Sequence, residues 1–178
     1  RGRLVPIGCL LAGLILSAAA LKTQAHGADW PQWLGPARDG VWRETGLVDK
    51  FPAGGPKVVW RVPVGVGYAG PAVVGNRVYV MDLARELDEN GQPRRATRQG
   101  ILGKERVLCL DATDGRTLWT HAYDCPYTIS YPNGPRTTPV VEAGRVYALG
   151  AMGDLSCLDA ADGTAQWSLN LPKAYRAE

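Results

Sequence analysis

The sequence predicts an all-β fold made of repeated four-stranded sheets, and an internal repeat is the main observation behind this prediction. Residues 106–119 read RVLCLDATDGRTLW and residues 154–167 read DLSCLDAADGTAQW, with seven identities at a constant offset of 48 residues. A second pair, GPAVVGNRVYVMD (70–82) and TPVVEAGRVYAL (138–149), aligns at an offset of 68 residues. Short β-type runs that repeat at intervals in the forties are typical of propeller blades or similar β-arrays.

Four strands can be assigned to each repeat from alternating apolar residues and turn signals. In the first repeat (blade 70–121) they are 71–74, 77–81, 106–110 and 116–121. In the second repeat (blade 138–169) they are 139–141, 145–149, 155–158 and 164–169. The first repeat also contains an insertion, 83–105, whose mixed charges and lack of an apolar period predict a solvated loop or flexible hairpin.

The turn between the third and fourth strands carries the most regular residues of the repeat. Its aspartates can accept backbone hydrogen bonds, and its glycine can adopt the positive φ that a tight turn needs. A tryptophan follows four residues after the glycine in both copies. The residues predicted to have these structural roles are Asp111, Gly115, Trp119, Asp159, Gly163 and Trp167. For the aspartates, we prefer turn capping to metal binding.

A further outer strand is predicted at 57–64, with Trp60 in the tryptophan position and no turn of this kind before it. Such an orphan strand needs three partners, which closed propellers take from the far end of the chain, and closure removes exposed sheet edges. Because propellers need about four to eight blades, the sequence predicts a partial β-propeller, 57–178, truncated at both ends. Residues 170–178 then begin the next crossing, and a missing C-terminal part supplies the remaining blades.

The N-terminal residues predict export. Residues 4–21 form an apolar run that follows a basic start and ends in alanines, which is the pattern of a secretory signal peptide. Small residues up to Ala25 favour a signal peptide at 1–25, followed by an extended segment at 26–56 and a periplasmic or extracellular location. The alternative is a membrane anchor, since about 18 apolar residues can span a bilayer. Contact with a membrane would then depend on the uncleaved signal.

The charge balance argues against a nucleic-acid-binding protein, and the cysteine positions argue against a disulfide-bonded one. The chain without residues 1–25 has 17 basic and 17 acidic residues, and this balance predicts no binding of nucleic acid. Cys109 and Cys157 occupy equivalent positions in successive repeats, which should be too far apart for a disulfide. Together with Cys125, they are predicted to be free, buried thiols.

The segments LDATDGRTLW and LDAADGTAQW resemble the propeller repeat of the pyrroloquinoline-quinone (PQQ) type, although Asp114 and Asp162 stand where threonine is usual. The segments DWPQWLGPARDGVWRETGL (29–47) and YPNGPRTTPVV (131–141) are similar to those of secreted, BamB-like repeat proteins of planctomycete-type bacteria. This resemblance implies an exported propeller, commonly with eight blades, in which each tryptophan docks against the turn of the neighbouring blade.

The loop 121–137 is the best candidate for a binding surface, because it crosses from an outer strand to the innermost strand of the next blade. This crossing is nine residues longer than the one that follows Trp60. Aromatic rings and a planar cation suit a polar or anionic ligand. The predicted ligand-binding residues are Tyr68, Tyr127, Tyr131 and Arg136. The alternative is that the tyrosines pack the face and Arg136 bonds loop carbonyls.

Two functions are compatible with this sequence. It contains no nucleophile elbow, phosphate-binding glycine loop or CxxC motif. The first hypothesis is therefore a non-catalytic binding or scaffold propeller for a partner protein or a glycan, with no cofactor and no metal in this part of the chain. The alternative is a quinoprotein dehydrogenase that oxidises alcohols or sugars with PQQ and calcium. Quinone enzymes resemble one another in an adjacent cysteine pair and a calcium held by Glu, Asn and Asp, and neither feature can be read here.

The predicted signal peptide has a direct test. Cleavage after Ala25 should give an exported protein that begins at His26, because the small residues before that position match the requirement of signal peptidase. N-terminal sequencing of the exported protein measures this. An N-terminus that retains Arg1 would instead indicate an anchor.

Overall fold

The computed structural model describes residues 27–94, 100–128 and 134–176. Within these ranges the first four strands are β1 (Ala72–Val74), β2 (Arg77–Arg85), β3 (Gly103–Asp111) and β4 (Thr117–Asp124). The remaining elements are β5 (Val140–Glu142), β6 (Arg145–Leu149), β7 (Asp154–Asp159), β8 (Ala165–Asn170) and the short helix α1 (Leu171–Tyr175). No helix in these ranges is long and apolar enough to cross a membrane. The predicted signal peptide lies outside the described residues.

Each group of four consecutive strands forms one antiparallel sheet, with the strands in sequence order. We name the sheet of β1–β4 blade 1 and the sheet of β5–β8 blade 2. Cys109 lies opposite Trp119 in blade 1, and Cys157 lies opposite Trp167 in blade 2. Both sheets have a register shift directly after this cysteine. The predicted all-β fold with two equivalent four-stranded blades is therefore confirmed.

One apolar core joins the two blades. Its buried members from blade 1 are Ala72, Tyr79, Met81, Val107, Cys109 and Trp119, and those next to or within blade 2 are Val141, Val146, Ala148 and Leu158. Because side chains alternate between the two faces of a strand, each blade presents one apolar face to this core. Each large apolar side chain buried there contributes about 1.5–3 kcal/mol.

Trp119 docks on the turn of blade 2, as the resemblance implied. Its Nε1 donates to the carbonyl oxygen of Ala160 at 3.2 Å. Its ring covers Gly163, whose φ is +77°, and a Cβ at that position would lie 2.5 Å from ring atom Cε3. Only glycine allows the indole to come so close in this backbone conformation.

Trp60 makes the same contact with blade 1. Its Nε1 donates to the carbonyl oxygen of Ala112 at 2.8 Å, and its ring lies against Gly115. The segment 57–64, predicted as an orphan strand, pairs with no strand in the described part of the chain. Backbone pairing needs a neighbouring strand, so this segment is held by its tryptophan and not by a β-ladder.

The insertion 83–105, predicted to be a solvated loop or flexible hairpin, begins and ends as a paired hairpin. Continuous pairing of β2 with β3 extends the hairpin to Arg85 and Gly103. Leu83 and Glu105 are buried within this extension. The charges of the insertion predicted a surface loop, because acidic residues are seldom buried without partners. Glu105 is buried all the same, because it has hydrogen-bond partners inside the protein. The crossing predicted at 121–137 starts later than predicted, because β4 continues to Asp124.

The N-terminal segment pairs with the edge strands of both blades. Trp30 and Val73 exchange two backbone hydrogen bonds, of 2.8 and 2.9 Å, and the amide of Val141 donates to the carbonyl of Pro31 at 2.8 Å. This segment, predicted to be extended, contains consecutive turns at 33–38. Two adjacent residues thus hold β1 and β5 side by side.

The docking of Trp119 predicts unequal effects for two glycine substitutions. Gly163→Ala and Gly144→Ala should cost a similar backbone strain of about 1–2 kcal/mol, since the φ angles are +77° and +73°. A Cβ on Gly144 meets no atom within 4 Å, whereas a Cβ on Gly163 overlaps the indole. Gly163→Ala should therefore lose about 1–3 kcal/mol more of its unfolding free energy than Gly144→Ala.

Urea unfolding of the two alanine variants measures this difference. Equal losses at the two positions would contradict a stabilising role for the tryptophan on the turn.

Candidate ligand-binding face

Two crossing segments run side by side and form the candidate face. The amide of Tyr68 donates to the carbonyl of Pro135 at 2.8 Å. Gly67 and Gly134 permit this approach, because a Cβ on Gly134 would lie 2.6 Å from the Cα of Gly67. Tyr68 is 58% exposed, and Arg136, which follows Pro135, is exposed as well. The structure therefore brings two predicted binding residues onto neighbouring segments.

An ion pair with a buried carboxylate and a partly exposed guanidinium fixes the first crossing to blade 1. The carboxylate of Asp82, on β2, accepts from Arg106 Nε at 2.8 Å and from Nη2 at 2.5 Å. It also accepts from the amide of Gly65 at 2.5 Å. The hydrogen bond to Asp82 raises the pKa of Arg106 above its usual range. Since a buried charge is costly unless it is paired and hydrogen-bonded, these contacts determine where the crossing leaves the sheet.

The second crossing is held by Glu105, a fully buried residue of β3. The hydroxyl of Tyr127 donates to its Oε1, and the hydroxyl of Tyr123 donates to its Oε2. The amide of Ala151, in the turn before β7, donates to Oε1 at 3.0 Å. One carboxylate thus connects β4, the second crossing and blade 2.

The acid–base properties of the side chains around Glu105 favour a structural role over a catalytic one. Burial, together with hydrogen bonds to Glu105, raises the pKa of the phenols of Tyr123 and Tyr127 well above their usual range. Burial, and then the charge of Glu105, raises the pKa of the Cys125 thiol to about 12. A thiol needs to ionise before it can act as a nucleophile. The cluster is therefore suited to hydrogen bonding within the protein.

The four residues predicted to bind a ligand occupy different environments. Tyr68 and Arg136 are exposed on adjacent segments, whereas the side chain of Tyr127 is buried against Glu105. The position of Tyr127 agrees with the alternative given in the sequence analysis, in which the tyrosines pack the face. Tyr131 lies outside the described residues. A ligand-binding role for the set stays a prediction.

An apolar groove lies next to these crossings. It has a volume of about 530 Å³ and is lined by Ala28, Trp30, Gln32, Trp33, Trp42, Gly70, Pro71, Val73 and Thr138. Trp33 is 67% exposed and Trp42 is 60% exposed. Gly70 and Thr138 lie two residues along the chain from Tyr68 and Arg136, so we describe the groove and the crossings as one face.

The lining of the groove suits apolar contact with a few polar anchors. The hydroxyl oxygen of Thr138 is buried and has no hydrogen-bond partner in the described part of the chain. Buried polar groups are normally paired, so this hydroxyl is an unsatisfied group in the wall of the groove. Among the residues that the structure describes, no titratable side chain lines the groove. Sequence reasoning missed this site, although three tryptophans within residues 30–42, outside the repeat, were a usable signal.

The described residues do not fit the cofactor set of quinone enzymes. They contain no group of three or more His, Cys, Asp or Glu that could hold a metal ion. Cys109, Cys125 and Cys157 are not adjacent in sequence, and all three are buried and free. The prediction of free, buried thiols is confirmed.

The contacts of Tyr127 predict a stability effect. Tyr127→Phe should lower the unfolding free energy by about 1.5–3 kcal/mol, because the buried Glu105 loses one of its donors. Tyr68→Phe is the control, since that side chain is mostly exposed and should show no change. Urea unfolding measures both variants. A Tyr127→Phe variant as stable as the parent would remove the structural role assigned to this hydroxyl.

Comparison with known proteins places the chain in a family. Residues 44–176 match the family model described as outer membrane protein assembly factor BamB. The crystal structure of BamB from Moraxella catarrhalis is similar, with 12% identity and a TM-score of 0.29 over 62% of this chain and 34% of that chain. The chain therefore spans about a third of the length of that protein. No curated protein sequence matches it.

Proposed function

The chain belongs to the family of outer membrane protein assembly factor BamB, and we propose that it is a non-catalytic binding module of an exported propeller. In this proposal, the groove and the adjacent crossings hold a partner protein in the periplasm or outside the cell. The supporting observation is the pair of exposed tryptophans, Trp33 and Trp42, on an apolar groove. Exposed apolar patches mark interaction sites, and tryptophan is enriched among the residues that dominate binding energy.

The chemistry of the lining favours a protein over a glycan. A sugar brings many hydroxyl groups, and each needs a hydrogen-bond partner when it leaves water. The groove offers two polar side chains, Gln32 and Thr138. The Oε1 of Gln32 already accepts from Arg38 at 3.0 Å. An apolar or aromatic peptide side chain, which needs few hydrogen-bond partners, fits this lining better.

The family name adds support for a protein partner. Its description refers to an assembly factor of outer membrane proteins, and an assembly factor acts by holding other proteins. The balanced charge of the chain after residue 25 offers no strong field for steering. We therefore expect the affinity to depend on apolar contact at the groove and to change little with salt.

Site-specific photo-crosslinking tests this proposal in the exported protein. A photoreactive residue at Trp33 or Trp42 should trap a defined protein partner. The matched control is Tyr175, an aromatic residue of α1 that is 74% exposed and does not line the groove. Trp42→Ala should weaken binding of the trapped partner about tenfold or more, with the fold intact by circular dichroism.

Two outcomes would contradict the proposal. Equal trapping at Trp33, Trp42 and Tyr175 would show no preference for the groove. The second outcome is quinone-dependent activity, which would support the dehydrogenase alternative that rests on the repeat resemblance alone. Turnover of alcohols or aldoses after addition of PQQ and calcium, followed by dye reduction and lost in Arg136→Ala, would replace the scaffold with an enzyme.

A further inference from the structure

A tight turn that follows β2 carries an asparagine directly before a glycine. The turn, 88–92, reads DENGQ, and every residue of it is exposed. The carboxylate of Asp88 accepts from the amides of Asn90 and Gln92, both at 2.9 Å. Gly91 has a φ of +74°, and a Cβ at that position would meet no atom within 4 Å. The turn is therefore held by its backbone and by Asp88, and the side chain of Asn90 takes no part in it.

The side-chain amide of Asn90 differs from those of Asn76 and Asn170 in having no partner. In the part of the chain that the structure describes, it makes no hydrogen bond. Asn76 bonds two side chains of blade 1, at 3.0 and 3.1 Å. Asn170 bonds Asp154 at 2.8 Å and an amide in the first turn of α1 at 3.1 Å. The amide of Asn90 can therefore rotate toward its own backbone without breaking a contact of its side chain.

The residue after an asparagine decides how readily the side-chain amide reacts with the backbone. In this reaction a bond forms between the backbone nitrogen of Gly91 and Cγ of Asn90, which closes a five-membered succinimide ring. The bond from Cγ to Nδ2 breaks, and ammonia leaves with the proton of the Gly91 amide. A Cβ on the attacking residue would crowd the ring, and glycine has none. The two other described asparagines precede an arginine and a leucine, whose side chains hinder the attack.

We propose that Asn90 is a site of spontaneous deamidation in the folded protein. Water opens the succinimide: its hydroxyl group adds to one of the two ring carbonyls, and its proton returns to the nitrogen of Gly91. Opening at Cγ gives aspartate, and opening at the main-chain carbonyl gives isoaspartate. Either product places a new carboxylate beside Asp88 and Glu89. This inference concerns the turn 88–92 and does not depend on the groove proposed above.

One hydrogen bond of the turn opposes the attack. The amide of Gly91 donates to the carbonyl of Asp88 at 3.0 Å, and this bond has to open before the nitrogen can reach Cγ of Asn90. Exposed turns with few apolar contacts open at little cost in free energy. Folding should therefore slow the reaction at Asn90 only slightly.

Isoaspartate at position 90 would also change the path of the chain. The backbone then runs through the former side chain and gains one carbon atom between residues 90 and 91. The two amides that bond Asp88 lie on either side of this added atom, so both bonds cannot keep their present geometry. The turn lies beyond the end of β2 at Arg85, so the pairing within the blades is not affected.

Tryptic peptide mapping by mass spectrometry tests this in the whole chain, because trypsin places the four asparagines of the sequence on four different peptides. After incubation at neutral pH, peptide 86–94 should gain the mass difference between an amide and an acid, and should separate into two products of equal mass. It should convert about tenfold faster, or more, than the peptides of Asn76 and Asn170. The rate should rise with pH, because the attacking nitrogen has to lose its proton. Asn133, which also precedes a glycine, lies on peptide 117–136 and does not contribute to this signal.

Two variants and an unfolded reference separate the chemistry of the pair from general instability. Gly91→Ala should slow the conversion of Asn90 about tenfold, because the added Cβ crowds the ring. Gly75→Ala is the matched control, since Gly75 also has a positive φ, +56°, with no atom within 4 Å of an added Cβ. This control should convert as the parent does. In guanidinium chloride the parent gives the rate without the turn, and the folded chain should stay within about threefold of it.

Three results would overturn the proposal. The first is a peptide 86–94 that converts no faster than the peptides of Asn76 and Asn170. The second is a folded chain in which Asn90 converts more than about tenfold more slowly than in the unfolded chain, since the turn would then protect the residue. The third is a Gly91→Ala variant that converts as fast as the parent, because the glycine would then have no part in the reaction.

Discussion

The packing of the two blades depends on the carbonyl oxygen of Ala160. It lies in an apolar interface, where a polar group without a partner costs about 1–3 kcal/mol, and three side chains of blade 1 donate to it. Each donor brings a large planar group to the interface, so satisfying the carbonyl also fills the space between the sheets. Gly163 completes the arrangement because a side chain there would separate the indole from the turn.

Two buried acids determine where the chain runs outside the sheets. An apolar core is not directional, and many loop paths would cover it equally well. Asp82 and Glu105 restrict these paths, since each carboxylate needs several donors and takes one of them from a crossing segment: Gly65 for Asp82 and Tyr127 for Glu105. Fully satisfied polar networks rigidify the structure around them. The exposed face with Tyr68 and Arg136 is therefore supported by polar groups that lie beneath it.

The sequence predicted those parts of the fold in which a residue type has the same local role in each repeat. The turn glycines, the alternating strands and Trp60 were identified because they recur at fixed spacing. The role of Glu105 was not predictable, since its donors come from three distant segments. The groove was missed for the same reason: its lining combines residues 28–42 with two later crossings. A site built from residues that are far apart in the chain and do not recur in the repeat leaves no periodic pattern in a single sequence.

The pairing of Trp30 and Pro31 with β1 and β5 has a consequence for the order of assembly. During synthesis from the N-terminus, Trp30 and Pro31 leave the ribosome before the strands they pair with, and Val141 follows more than a hundred residues later. Contacts of such high sequence separation form slowly, because a long loop has to close. We therefore expect the pairing of Trp30 and Pro31 with both sheets to be a late folding event, so that the groove is complete only once the sheets behind it have formed.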